Sequence, residues 1–266
     1  NEDAQAFIGQ LGLPTRKKEE FGTSVFIIGS YLEEIRELRM AFEKWWWPVL
    51  EDPEFDENYE IIFENHDGTV EPLQHKKSPV LAPYLKAYSN LSLANKTTDY
   101  SLTQDILPHR EPKGGGSEKQ VHAGKVCWML DRSGYDNPLM NRTAIIRDGM
   151  IINYREETFR DEEPRCVGVF QQSKEEGRTF KLSEPVAHDD MNPHDDRLKR
   201  IEGKGGQDFI KRVLTQLKEK SNTFQNSKKE RALPKKQDPL AFLDNKLMAF
   251  LRSSKGTPNP IINSER

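Results

Sequence analysis

A chain of 266 residues with 35% hydrophobic and 31% charged side chains has room for one large domain or two ordinary ones, and its polarity predicts a modest core with long solvated loops. A formal net charge of −3 argues against a dedicated nucleic-acid binder, and no apolar run approaches the roughly 20 residues of a membrane span. The opening "NEDAQAFIGQLGL" lacks a basic segment followed by an apolar one, so no signal peptide is expected. Cys127 and Cys166 sit in apolar, strand-like runs, so the chain reads as soluble and cytoplasmic with buried thiols. The first residue is Asn1, and the opening does not read as the start of a fold, so a piece of a longer protein is expected.

"GTSVFIIG" (22–29) is β-branched and apolar after a glycine, and reads as a buried strand. In the segment that follows, Ile35, Leu38, Phe42, Trp45, Trp46 and Val49 recur at helical spacing, predicting an amphipathic helix that stops at Pro48. Trp45, Trp46 and Trp47 cover most of that helix's circumference. Either all three end in the core, or one is left for contact with another domain or subunit. Residues 58–68 predict a short strand ending in a turn, and 78–88 a short helix with Pro79 near its start. Residues 89–120, rich in Asn, Ser, Thr, Lys and Gly, read as a long loop.

Runs 121–131, 142–155 and 165–172 predict three strands of a mixed or antiparallel sheet, with a hairpin or bulge at Asp148-Gly149. Then comes "EPVAHDDMNPHDDRLKR" (184–200), two His-Asp-Asp triplets. Beyond it, Phe209, Ile210, Val213, Leu214 and Leu217 define one face of a helix over 206–220. "NSKKERALPKKQ" (226–237) reads as a basic linker, and 238–254 as a last amphipathic helix capped by Asp238 with Pro239 at its first position.

Two readings of the triplets stand side by side. His188, Asp190 and His194 are candidate metal ligands, and a metal-dependent nuclease or hydrolase follows from them. The six-residue spacing of the histidines does not stack on one helical face, and Pro193 forbids a continuous helix. Asp189, Asp190, Asn192, Asp195 and Asp196 are also turn and N-cap formers ahead of a helix. The glycine-rich stretches 113–120 and 203–209 read as a flexible loop and a helix start, with anion cradling as the alternative. Lys228, Lys229, Arg231, Lys235 and Lys236 suit either a solvated linker or phosphate contact, the latter making a non-catalytic DNA- or protein-binding module.

In order, these motifs resemble part of one superfamily. "GLPTRKKEEFGTSVFIIG", with Gly22, Thr23, Ser24 and Val25, is similar to the closing strands of the ATP-binding domain of the GHKL superfamily (DNA gyrase B, heat-shock chaperones of the ninety-kilodalton class, histidine kinases, MutL). "IIRDGMIINY", "CVGVFQQ" and "SEPVAHDDMNPHD" look like the region after that domain in bacterial ATPases of defence-type loci, with their R-x-G-M-x-I strand, G-V strand and P-x-H-D-x-W turn leading into a long helix.

The resemblance covers residues 10–225. It implies that 1–30 ends an ATP-binding domain, 31–200 is a transducer-like α/β domain and 201–266 a helical extension carrying the basic linker. It implies ATP contact by Gly22, Thr23 and Ser24, ATP and Mg²⁺ in the full-length parent, and a role in coupling nucleotide state to movement in antiviral defence. It also implies that the missing ATP-binding domain or a partner subunit is the partner, with homodimerisation open. The γ-phosphate contact expected of a transducer falls to Lys113, Lys119, Arg132 or Arg142. The superfamily's Glu/Asn helix and Asp-x-Gly-x-Gly loop are not in this sequence, since "ENHDG" (64–68) lies on the wrong side of the closing strand. The chain by itself is therefore expected not to hydrolyse ATP.

Overall fold

The structure, a computed structural model, describes residues 2–10, 12, 35–53, 60–65, 67–93, 96–112, 116–156, 164–187 and 189–229. The expected strand 22–29 and final helix 238–254 lie outside them. Helix α1 (Glu2–Gln10) leaves Phe7 exposed, and α2 (Ile35–Leu50) leads to a small ladder of β1 (Phe63–Glu64) and β2 (Val70–Glu71). Helix α3 (Ala82–Ser89) has Pro83 in its first turn, where the missing N–H removes no helical hydrogen bond. The main sheet takes β3 (Ser101–Ile106), β6 (Gly124–Leu130), β7 (Arg142–Arg147), β8 (Met150–Glu156) and β9 (Cys166–Gln172). A short ladder of β4 (His109–Arg110) and β5 (Lys119–Gln120) stands apart. Helices α4 (Gly177–Ser183) and α5 (Asp196–Lys229) follow.

The fold is mixed α/β, as expected, with helices packed on a five-stranded sheet of order β3-β6-β9-β7-β8. The sheet is the mixed one of the two expected arrangements, since β9 enters between β6 and β7, pairing antiparallel with the first and parallel with the second. One expectation for this region needs correction. The stretch 89–120 is not one loop, because it supplies β3, whose buried positions are the hydroxyl residues Ser101 and Thr103 together with Ile106. Hydroxyls in place of aliphatic side chains hide the strand from a hydropathy pattern.

Side chains along β6, β7 and β9 alternate between the two sheet faces. Val126, Trp128, Ile145, Ile152, Cys166 and Phe170 face α4 and α5, while Cys127, Met129, Ala144, Ile146, Val167 and Val169 face α2 and α3. Gly168 pairs with both Trp128 and Thr143, and a Cβ there would lie 2.5 Å from the Thr143 hydroxyl and 2.9 Å from the Trp128 indole. The Asp148-Gly149 turn has φ of 48° and 81°, the positive pair of a tight β7–β8 hairpin. A register shift between Ile145 and Ile146 leaves one extra residue in β8, so Ile151 and Tyr154 share a face with Ile152 opposite.

Helix α2 does not stop at Pro48, running instead to Leu50. Pro48 cannot donate to the carbonyl four residues back, and the structure supplies another donor. The Tyr154 hydroxyl donates to Lys44 O at 2.5 Å while accepting from Trp47 Nε1 at 2.9 Å. Burial pushes the Tyr154 phenol well above its ordinary pKa, so it stays a donor.

The buried side of α2 also differs from expectation. Trp47 and Pro48 are buried with Arg39 and Glu43, whereas Leu38 and Trp46 are exposed. Arg39 donates to Glu43 at 2.8 Å, and Glu43 also accepts from the Gln74 backbone. A neutralised ion pair takes the place that periodicity reserved for apolar side chains.

Helix α5 extends the predicted 206–220 in both directions, to Asp196 and Lys229. Gly203, at φ 67° and ψ −161°, breaks it near its start. The stretch 203–209 thus opens the second and longer segment of α5, the helix start that its glycines suggested. Phe209, Ile210, Val213, Leu217 and Phe224 are all buried on the sheet, so the boundary expected at residue 200 falls inside a helix that completes the core. No helix of the described residues is long and apolar enough to cross a membrane.

Candidate functional site

The segment 183–196 joins α4 to α5 and is anchored at three levels. Met191 is buried beside Phe180 and Leu198, and its sulfur accepts from Gln172 Nε2 at 3.4 Å. The Asn192 N–H donates to Ser183 O at 2.7 Å. The deepest anchor is Glu184, 0% exposed, whose Oε1 lies 2.9 Å from Nε of Arg147 at the β7 end of the hairpin turn. The pair lacks good hydrogen-bond angles, so charge attraction rather than a directed bond holds it. The Arg197 guanidinium, from the first turn of α5, donates to Glu184 O. One short stretch therefore ties a β-hairpin to the first segment of α5, ahead of the break at Gly203.

The acidic side chains here satisfy N–H groups. Asp195 Oδ1 accepts from Arg197 N at 2.8 Å, the geometry of an N-cap, and lies 3.3 Å from Arg197 Nε. Partial burial pushes the Asp195 carboxyl up, but the hydrogen bonds and charge of Arg197 outweigh this and leave it below the ordinary carboxylate range. Asp190 Oδ1 accepts from Met191 N at 2.7 Å and from Asn153 Nδ2 of β8 at 3.2 Å. Asn192 Oδ1 accepts from His194 N at 2.9 Å, and His194 is exposed.

Asp190 and His194 are thus placed in one loop, while His188, the third candidate ligand, lies outside the described residues. Among the described residues no group of three His, Cys, Asp or Glu side chains is placed to hold a metal ion. No protein family, curated protein or solved structure matches this chain.

Gly22, Thr23 and Ser24 lie outside the described residues, as does Lys113. Lys119 is exposed on β5. Arg132 stacks 4.2 Å over the Tyr100 ring, and Arg142 pairs with Glu156 at 2.6 Å.

The basic linker needs correction at its start. Lys228 is a buried α5 residue that donates to Thr98 O at 2.9 Å over the Phe224 ring, while Arg231, Lys235 and Lys236 lie outside the described residues. The long stem of a lysine packs along apolar surface, so its charge did not predict its exposure. Cys127 and Cys166 are both buried, and burial pushes the Cys127 thiol above its ordinary pKa.

A second charged cluster went unread in the sequence. Arg110 of β4 bonds Glu176, lies 3.1 Å from Glu202 and stacks 5.0 Å over Phe209, clamping the start of α4 to the Gly203 kink. Arg147, Glu184 and Arg197 were likewise missed as a group. Each stands in a quoted motif, but 37 residues separate Arg147 from Glu184, and no local spacing reports that they meet.

Proposed function

We propose that the chain is the coupling region of a cytoplasmic GHKL-type ATPase subunit, passing the nucleotide state of an ATP-binding domain or partner subunit to the helices beyond its sheet. One observation carries this reading. The Arg-Asp-Gly-Met turn and the Ser-Glu-Pro-Val-Ala-His-Asp-Asp stretch, which carry the resemblance in the second half of the chain, meet at the Arg147 and Glu184 contact.

That contact suits coupling. Removing Glu184 leaves the largely buried Arg147 guanidinium without this partner, at a cost of roughly 3 kcal/mol. The β7–β8 hairpin and the first segment of α5 therefore move as one body, and a push on the hairpin reaches α5 as far as Gly203. Gly203 and the Arg110 clamp set where α5 bends, which makes that kink the point where the motion changes direction. ATP and Mg²⁺ belong to the parent, whose upstream groups supply the phosphate chemistry.

The test is titration of Mg-ATP into this chain and into a longer one carrying the upstream Glu/Asn helix. The longer protein binds and hydrolyses ATP, and the short chain does neither. Tight ATP binding by the short chain alone overturns the reading.

A further inference from the structure

We infer that α4 and the first segment of α5 form one surface for the phosphate backbone of double-stranded nucleic acid, carried by Arg178, Lys181, Lys199 and Arg200. Two contacts fix how these helical pieces lie. Arg110 reaches both Glu176, just before α4, and Glu202, just before the Gly203 break. At the other end Arg197 donates to Glu184 O, just after α4. Position 176 therefore stands near 202, and 184 near 197, so α4 runs antiparallel beside the first segment of α5. Both rest on the core, α4 through Phe180 and α5 through Leu198, which are fully buried.

The opposite sides of the two pieces face solvent. Arg178 and Lys181 are exposed and three apart, so they are neighbours on one side of α4. Lys199 and Arg200 are exposed on the side of α5 turned from Leu198. Neighbours on a helix stand about 5–6 Å apart and packed helices about 8–10 Å, which gathers the four cations within roughly 15 Å. Among the described residues no carboxylate pairs with any of the four, and within 177–183 and 197–202 the one acid, Glu202, is held by Arg110. Exposed acids stand at the borders, Glu175 before α4, Asp196 at the start of α5 and Glu111 close to Gly205. A chain of net charge −3 thus concentrates positive charge on one face.

The makeup of the face selects the ligand. A duplex carries about one charge per 1.7 Å of its axis, so a patch of roughly 15 Å meets several phosphates at once, whereas one small anion engages one or two of the four cations. Single strands are held by stacking bases on aromatic rings, and Phe180, the one Phe, Tyr or Trp between 174 and 204, is buried. An anionic membrane surface calls for large apolar side chains beside the charges, and these two helical pieces expose none. Backbone contact without base readout is what remains, and it is sequence-independent. The inference goes beyond the nucleotide reading and does not rest on it, since neither ATP nor the upstream domain enters it.

Fluorescence anisotropy of a labelled, mixed-sequence DNA duplex of about 20 base pairs tests it, with the full chain, no ATP and salt from about 50 to 200 mM. Log affinity is expected to fall against log salt with a slope of about −3 to −4, since each neutralised phosphate contributes about −0.9. Combining Arg178→Gln, Lys181→Gln, Lys199→Gln and Arg200→Gln weakens binding at least about tenfold at the lowest salt and flattens the slope by at least about two. A variant of equal net charge, combining Lys77→Gln, Lys86→Gln, Lys211→Gln and Lys218→Gln at exposed positions elsewhere, stays within about twofold of the parent. If the first variant unfolds, Lys181→Gln and Arg200→Gln are read singly, each lowering the slope by about 0.9 while Lys181→Arg keeps it. No duplex binding by the parent overturns the proposal, as does an equal loss in both fourfold variants. Binding to phosphatidylserine vesicles but not to the duplex also overturns it and assigns the face to lipid.

Discussion

The two faces of the sheet are closed by different chemistry. On one, α5 lays down Phe209, Ile210, Val213, Leu217 and Phe224, and Phe180 meets Phe170 edge-on and Phe209 at a tilt. On the other, α2 and α3 bring Trp47 and Tyr84, whose polar ends are bonded, together with a buried Arg39–Glu43 pair. The first face is held by area removed from water, which is non-directional. The second depends on directed bonds. Tyr84 donates to Leu139 O at 2.5 Å, as Tyr154 does to Lys44 O, and each is costly to leave unmade. A hydrophobic face tolerates shape-conserving change, whereas a bonded face does not.

Substitutions sharpen this contrast. The largest effect is expected from Phe209→Ala, which opens a cavity under α5 and costs about 4 kcal/mol in denaturant unfolding, against about 1 kcal/mol for Ile210→Val. Next, Glu184→Leu strands the Arg147 charge and costs about 3 kcal/mol by the same measurement. On the bonded face, Tyr154→Phe keeps the ring but leaves Trp47 Nε1 and Lys44 O without their partner, lowering stability by about 2 kcal/mol. If Tyr154→Phe proves neutral, that face is held by area as well and the contrast fails.

Gly149→Ala comes next, at about 1–2 kcal/mol, because φ of 81° is unfavourable for a Cβ and that Cβ would lie 2.9 Å from Val49 Cγ2. The smallest is Asp195→Ala, which removes the cap of α5 and costs about 1 kcal/mol in thermal melting near neutral pH. Its folded-state pKa is depressed, so the contribution of Asp195 is present above the ordinary carboxylate range and lost as pH falls through and below it. Parent and variant melting curves therefore converge in acid.

The sequence was readable where one physical rule decides the outcome. The helical spacing of Phe209, Ile210, Val213 and Leu217 names the buried face of α5, and Asp148-Gly149 names the β7–β8 turn, because only a two-residue loop of positive φ closes so tight a hairpin. It misled where two polar groups cancel. Arg39 and Glu43 neutralise each other inside α2, Ser101 and Thr103 line the inner positions of β3, and Lys228 is buried with its ammonium on Thr98 O. Each is polar by residue type and buried by pairing. The candidate site was half readable, since both motifs stood out but their contact is tertiary.

The central claim is that hairpin and helix are joined through Arg147 and Glu184. A double-mutant cycle tests it most directly, comparing unfolding free energies of the parent, Arg147→Met, Glu184→Leu and the double variant. The account predicts that the double variant is more stable than the sum of the single losses implies, by at least about 1.5 kcal/mol. Losses that add to within about 0.5 kcal/mol would contradict it, showing that the two charges are neighbours without being coupled.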